Sequence, residues 1–278
     1  MLTPDYRDAQ ALCATAGEPV LADRIVAVIG ATGGLGTALC KALASAGATA
    51  VLFGRKLRRL EALYDVIEPL GNATPAMLEL DLATLDAPAG QAVAETLYAE
   101  FGRLDALVLA AVDGGTPAPQ AQVKDAEFAR VMQVNVAAQR TLINALRPLL
   151  ALSPDAAVVT LLDHRPGAYS GAYGISKQAA HALLYQLADE IEHARGADGA
   201  PALAMNGYDP GPMRTPLRRR FFAGEHASES VPPEERLGPL LHLIARSDRA
   251  LSAQALAWHP VPPHDRTAGR PASGLDRA

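Results

Sequence analysis

Apolar residues along this chain fall into two kinds of run. Short unbroken ones, Ile25-Val26-Ala27-Val28-Ile29 first and then residues 48–53, 76–80, 104–111, 156–162, 202–208 and 252–258, show little polar alternation. Runs of this length are too short to span a membrane and fit strands buried on both faces. Between them lie stretches with apolar residues at helical spacing. One opens near Gly34 and runs through Ala46, and a second ends near Glu68 before Pro69 and Gly71. Others cover 87–101 up to Gly102, 125–150, 173 to about Arg195-Gly196, and 237–245. Strand and helix in alternation predict an α/β fold: a single Rossmann-type doubly wound domain, its sheet parallel, its helices on both faces and its ligand at the carboxyl ends of the strands. The domain is expected over 22–258. Residues 1–21, without a clear period, read as an arm or short helix lying on it, and the Pro, Gly and charges of 259–278 read as a tail.

Composition narrows the class of partner. A chain of 278 residues with 49% hydrophobic content fills one α/β domain with a substantial core. A net charge of −5 gives no electrostatic footprint for nucleic acid or an anionic membrane. With two cysteines, Cys13 and Cys40, no disulfide framework is expected, in keeping with a reducing cytoplasm. The N-terminal residues carry acids and no continuous apolar core, unlike a secretory signal, and no run approaches the ~18 apolar residues of a membrane span. The expectation is a soluble, cytoplasmic protein. Its seven histidines show no metal-ligand spacing.

Two stretches carry chemistry. After the first strand come Gly30-Ala31-Thr32-Gly33-Gly34-Leu35-Gly36, with glycines at the G-x-x-x-G-x-G positions 30, 34 and 36. Glycine lets backbone approach a phosphate, and the following helix start offers unpaired N–H groups and about half a positive charge. The bland alternative is a tight strand-to-helix turn with no ligand. Downstream, Tyr173 and Lys177 sit four residues apart at the start of a helix, one turn from each other on one face. An ammonium there is expected to lower the phenol from its ordinary ~10, fitting it to give or take a proton at a carbonyl or alcohol oxygen. The alternative is an ordinary amphipathic pair.

Glycine turn, Asn135 in Val131-Met132-Gln133-Val134-Asn135-Val136, Tyr173-Gly174-Ile175-Ser176-Lys177 and Pro210-Gly211 occur in the order and spacing of the short-chain dehydrogenases/reductases, and from about Ala22 to Leu217 the chain resembles that family. The resemblance implies a seven-stranded parallel sheet, assembly as a homodimer or homotetramer through the Asn135 and Tyr173 helices, and hydride exchange with a nicotinamide dinucleotide. It implies that Asn135 distorts its helix and holds a water feeding Lys177, and that Tyr173 is the acid/base. The implied cofactor contacts are Gly30, Thr32, Gly33, Gly34, Leu35 and Gly36 in the turn, Arg55 after the second strand, and Asp81 and Leu82 after the third. Ala110 and Ala111 follow the fourth strand, and Tyr173, Lys177, Pro210, Gly211, Met213 and Thr215 complete the set. An acid at the end of the second strand would bind ribose hydroxyls, whereas a cation accepts the additional phosphate of NADP. Gly54-Arg55-Lys56 stand there, so NADP(H) is expected over NAD(H). Asp81 serves equally as an adenine contact or as a helix cap.

Two positions depart from the family pattern. Its strand-four Asn-Asn-Ala-Gly is replaced by Leu109-Ala110-Ala111-Val112, suggesting an apolar substitute for a polar clamp. Its substrate-binding serine aligns with Asp163, and an ionised carboxylate cannot donate a hydrogen bond whereas a protonated one can. Ser170, Thr160 and His164 are alternative donors. The expected function is an NADP(H)-dependent oxidoreductase interconverting a carbonyl compound and a secondary alcohol. The alternatives are a nucleotide-binding regulatory or scaffold protein that kept the site without efficient catalysis, and a pterin-type C=N reductase suggested by Asp163 alone. A lid is expected over 217–233, where Arg218, Arg219, Arg220, Phe221 and Phe222 suit a planar or anionic substrate unless they form a solvated helix face.

Overall fold

The computed structural model describes residues 6–15, 17–163, 167–192 and 203–258. The tail expected over 259–278, His164 and the helix end near Arg195-Gly196 lie outside the described residues. In chain order the strands are β1 (Tyr6–Asp8), β2 (Ile25–Ile29), β3 (Thr49–Gly54), β4 (Ala76–Glu79), β5 (Ala106–Leu109), β6 (Ala156–Leu161), β7 (Leu203–Asp209) and β8 (Gln254–Ala257). They form one parallel sheet in the order β1-β8-β7-β6-β5-β2-β3-β4. The helices are α1 (Ala9–Thr15), α2 (Gly34–Ser45), α3 (Leu57–Ile67), α4 (Ala87–Phe101), α5 (Asp125–Met132), α6 (Ala138–Leu150), α7 (Gly171–Glu192), α8 (Pro216–Phe221) and α9 (Leu237–Ala245). A π turn, Gln133–Ala137, joins α5 to α6.

The apolar runs become strands because a sheet covered on both faces must present apolar side chains both ways. Along β2, Val26 and Val28 enter the core that α1, α2, α3 and α9 cover, while Ile25, Ala27 and Ile29 enter the opposite core under α4, α6 and α7. All five are buried. Helix limits follow local chemistry. At the start of α4, Asp86 accepts from the Ala89 N–H at 2.9 Å with Pro88 in the first turn, and the helix ends on left-handed Gly102.

The sheet has one strand more than the seven implied by the sequence. β1 pairs with the edge of β8, Tyr6 beside Ala255, Arg7 beside Leu256 and Asp8 beside Ala257. Tyr-Arg-Asp has neither the length nor the apolar content of a strand signal; it forms because the edge of β8 offers backbone groups that need partners.

At the amino ends of the central strands, polar bonds fix the register. The Asp105 carboxylate accepts from the Ile25 N–H at 2.9 Å, the Ser153 hydroxyl at 2.6 Å and Arg103 Nε at 3.1 Å. Arg24 donates to the backbone carbonyls of Asp105 and Asp155 at 3.2 and 2.6 Å. Burial pushes the Asp105 carboxyl up, but these bonds and the Arg103 charge outweigh it and hold the group below the usual carboxylate range. A depressed native value adds stability at neutral pH that is lost as pH falls through it. Asp105→Asn is therefore expected to lower the unfolding free energy at pH 7 by about 1.5–3 kcal/mol. The gap from the parent should close below about pH 4, where the parent also protonates; urea unfolding at both pH values checks this.

Candidate active site

At the carboxyl ends of the strands a cleft of about 1380 Å³ opens. Its floor begins with the turn after β2. Gly30 has φ +91°, and a Cβ there would lie 2.6 Å from the Ala111 backbone nitrogen. A Cβ at Gly36 would run into the Gly30 carbonyl oxygen. These two glycines let the start of α2 and the end of β5 close on the turn. Gly33 caps α2 without a side-chain hydrogen bond, so the first-turn N–H groups are left for another acceptor. Thr32, Gly33, Gly34, Leu35 and Gly36 all line the cleft.

Most other expected contact residues lie along the same cleft. Ala110 and Ala111 follow β5, where the Ala110 N–H donates to the Ile29 carbonyl at 2.9 Å. Asp81 and Leu82 follow β4; Asp81 accepts from the Ala83 N–H at 3.0 Å as a turn cap and still faces the cleft. Arg55 is exposed on the wall, joined by Arg59 in the first turn of α3, while Lys56 and Arg58 are not among the lining residues. Pro210, Gly211, Met213 and Thr215 line the far side. Thr215 caps α8 by accepting from the Arg218 N–H at 3.1 Å, and its methyl lies 2.7 Å from where a Cβ on Gly34 would stand. Residues 181 positions apart in sequence thus meet across the cleft.

Tyr173 and Lys177 are both buried on α7. The Tyr173 hydroxyl donates to Asp163 Oδ2 at 2.9 Å, and Lys177 Nζ donates to the Leu161 carbonyl at 2.6 Å while standing 5.9 Å from the phenol ring centre. The electrostatics differ from the expectation that Lys177 lowers the phenol. Burial, the charge and hydrogen bond of Asp163, and the charge of Asp209 hold the Tyr173 phenol well above its ordinary range, with Arg218 acting the other way. Burial also pulls the Lys177 ammonium down, against Asp163 and Asp209. The reason is tertiary: the carboxylate that replaces a neutral hydroxyl points directly at the phenol, whereas the ammonium is turned toward a backbone carbonyl. Of the alternative donors, Ser170 lines the cleft, and Thr160 is buried in β6 outside its lining.

Asn135 sits in the π turn, 1% exposed. Its Oδ1 accepts from the Asp113 N–H at 2.7 Å, and its Nδ2 donates to the Asp113 carbonyl at 2.9 Å and to Ser176 Oγ at 2.8 Å. Ser176 in turn donates to the Tyr173 carbonyl at 2.7 Å. Beyond β5, Ala110 and Ala111 pack against the two apolar cores. The loop is held by polar bonds from the neighbouring helix, reinforced by an Arg130–Asp113 ion pair at 3.1 Å. Sequence reading overlooked Asp113, Arg130 and Ser176; Ser176 was legible within the Tyr173-to-Lys177 motif, but the pairing with Asp113 depends on where the loop lands.

The start of the segment expected as a lid borders the cleft beside Tyr173. The Phe221 ring lies 5.2 Å from that of Tyr173, tilted by 50°, and Leu217 and Phe221 press on Gly114. The Arg214 N–H donates to the Val231 carbonyl at 2.8 Å, tying the two ends of the lid segment. Behind the site, His181, one turn beyond Lys177, packs between Tyr6 and Tyr185 with ring centres 5.1 and 4.9 Å away, and burial pushes its imidazole down to about 4. The N-terminal strand thus backs the helix that carries Tyr173.

Comparison with known proteins identifies the family. The family model described as short chain dehydrogenase matches residues 24–226. The uncharacterized oxidoreductase YciK of Escherichia coli strain K12 is 30% identical over 236 residues, covering 84% of this chain and 90% of that protein. Among solved structures, a short chain dehydrogenase from Salmonella enterica serovar Typhi is 29% identical with a TM-score of 0.82, covering 88% of this chain and 99% of that one. A protein from Escherichia coli CFT073 solved in complex with NADPH is 29% identical with a TM-score of 0.81, covering 88% of this chain and 100% of that one.

Proposed function

The chain belongs to the oxidoreductases of the short chain dehydrogenase family, and from that premise we propose that it uses NADP(H) to interconvert a carbonyl compound and a secondary alcohol, with Tyr173 as the proton-transfer residue. The observation that carries this reading is the buried Tyr173 hydroxyl, 2.9 Å from Asp163 in a cleft whose other end is the uncapped start of α2.

The residues present fit a dinucleotide. Gly33 leaves the first N–H groups of α2 for phosphate, and the close packing at Gly30 and Gly36 keeps side chains out of the turn. Asp81 and Leu82 would flank the adenine end, Ala110 and Ala111 the middle, and Lys177, Pro210, Gly211, Met213 and Thr215 the nicotinamide end. Arg55 and Arg59 both present exposed guanidiniums on the adenosine wall, where a ribose phosphate needs a cation. When bound, the nicotinamide supplies or accepts the hydride.

Tyr173 then manages the proton. Its phenol, held protonated by burial and Asp163, is matched to donating toward a carbonyl oxygen during reduction. Asp163 accepts from the phenol in the resting site and, when protonated, offers a second donor to the same oxygen. In the oxidative direction the phenol must first lose its proton, which the neighbouring carboxylate opposes. That opposition also supports the second reading, a cofactor-binding protein of the same fold with weak catalysis.

Three outcomes test these assignments. Tyr173→Phe should lower carbonyl-dependent NADPH oxidation by about 10²–10⁴-fold while leaving NADPH binding measurable by calorimetry. Wild-type protein that binds NADPH yet turns over no member of a carbonyl and alcohol panel would instead favour the second reading. Arg55→Ala with Arg59→Ala should weaken NADPH binding about tenfold or more with a smaller effect on NADH. Asp163→Asn removes a charge that raises the phenol, so phenolate forms at lower pH and the alkaline rise of alcohol oxidation should move to lower pH; a pH–rate profile of the variant against wild type reads the shift.

A further inference from the structure

Toward Tyr173, two of the arginines that line the cleft are paired with carboxylates. Arg218 donates to Glu225 through Nε at 3.0 Å to both carboxylate oxygens, and its guanidinium lies 3.6 Å from the Phe222 ring centre. Arg130 is paired with Asp113. The cleft also presents aromatic surface there. Tyr169 is 69% exposed and Phe222 48% exposed, yet both line the cleft. Tyr169 also has φ +66°, a left-handed conformation that non-glycine residues adopt at a cost and that is concentrated at ligand-binding positions. Phe222 is fixed from one side, because the braced Arg218 covers one face of its ring and leaves the other available. Phe221 completes the path inward, its ring against that of Tyr173.

We propose that the substrate is a carbonyl compound bearing an uncharged planar aromatic group, held by Tyr169, Phe221 and Phe222 with its carbonyl oxygen toward Tyr173. This rests on the proposed carbonyl reduction at the same site and adds to it the class of substrate and the residues that select it. Glu225 and Asp113 occupy the guanidiniums of Arg218 and Arg130, so an anionic head group would meet the exposed Arg220 as its cation there, which is why Arg220 is substituted in the test. Exposed rings favour stacking, where a flat ring gains dispersion and quadrupole contacts that an alkyl chain of similar polarity lacks. The sequence Arg218-Arg219-Arg220-Phe221-Phe222 thus separates into a brace, two exposed arginines of which Arg220 also lines the cleft, and an aromatic platform.

The test compares 1-phenyl-1,2-propanedione with 2,3-pentanedione on the full chain with NADPH. The expected kcat/KM ratio favours the phenyl compound by about tenfold or more, and Tyr169→Ala or Phe222→Ala should bring it toward one by raising KM for the phenyl compound. A wild-type ratio near one, or a ratio that neither substitution changes, overturns the proposal. Phenylglyoxylate supplies an anionic control: a preference for it over the phenyl dione that is lost in Arg220→Gln also overturns the proposal. Calorimetric binding of both diones to the NADP⁺-saturated protein separates the two readings. Selective binding of the phenyl dione without turnover sustains the aromatic site while the catalytic reading fails, and binding without selectivity overturns the aromatic site itself.

Discussion

The active end of this molecule depends on three hydrogen bonds made by one buried amide. Asn135 ties the backbone of Asp113, just beyond β5, to Ser176 on α7, and Ser176 reaches the Tyr173 carbonyl. An amide is suited to this because it donates and accepts at once, satisfying a peptide N–H and C=O as a backbone neighbour would. The π turn widens the helix locally at Gln133–Ala137 where that side chain stands. With the loop after β5 fixed, Gly114 offers the flat backbone against which Leu217 and Phe221 close. The position of the lid therefore traces back through the loop to a residue that itself sits behind the cleft.

A second constraint is close approach. Gly30, Gly36 and Gly34 bring the turn against Ala111, against itself and against Thr215. The small residues after β5 belong to the same packing: Ala111 lies where a larger side chain would crowd the glycine turn. What is missing from the strand-four pattern of the family is thus redistributed between small residues on the strand and polar bonds from Asn135 and Arg130.

Charge is distributed unevenly along the cleft, and this gives its ends different chemistry. On the wall after β3 Arg55 and Arg59 are exposed, whereas toward Tyr173 Arg218 and Arg130 are matched to carboxylates. Near the phenol, burial and the carboxylates of Asp163 and Asp209 outweigh the opposing charge of Arg218. The cleft is thus cationic along one wall and proton-retaining at Tyr173.

The sequence by itself determined the layered α/β fold, the parallel strands and the glycine turn, because burial on both faces and the need for a close-approaching backbone leave direct marks on local composition. Residues 25–29 fill both cores, and the limits of α4 follow from Asp86, Pro88 and Gly102. The spacing of Tyr173 and Lys177 likewise places both on one face of α7. Tertiary structure alone decided where their polar atoms point, since Asp163 and Leu161 reach them from another element. It also recruited Tyr6–Asp8 as an eighth strand and joined Asn135 to Asp113, because edge pairing and side-chain-to-loop bonds depend on which segments meet in space and leave no periodic trace in the chain.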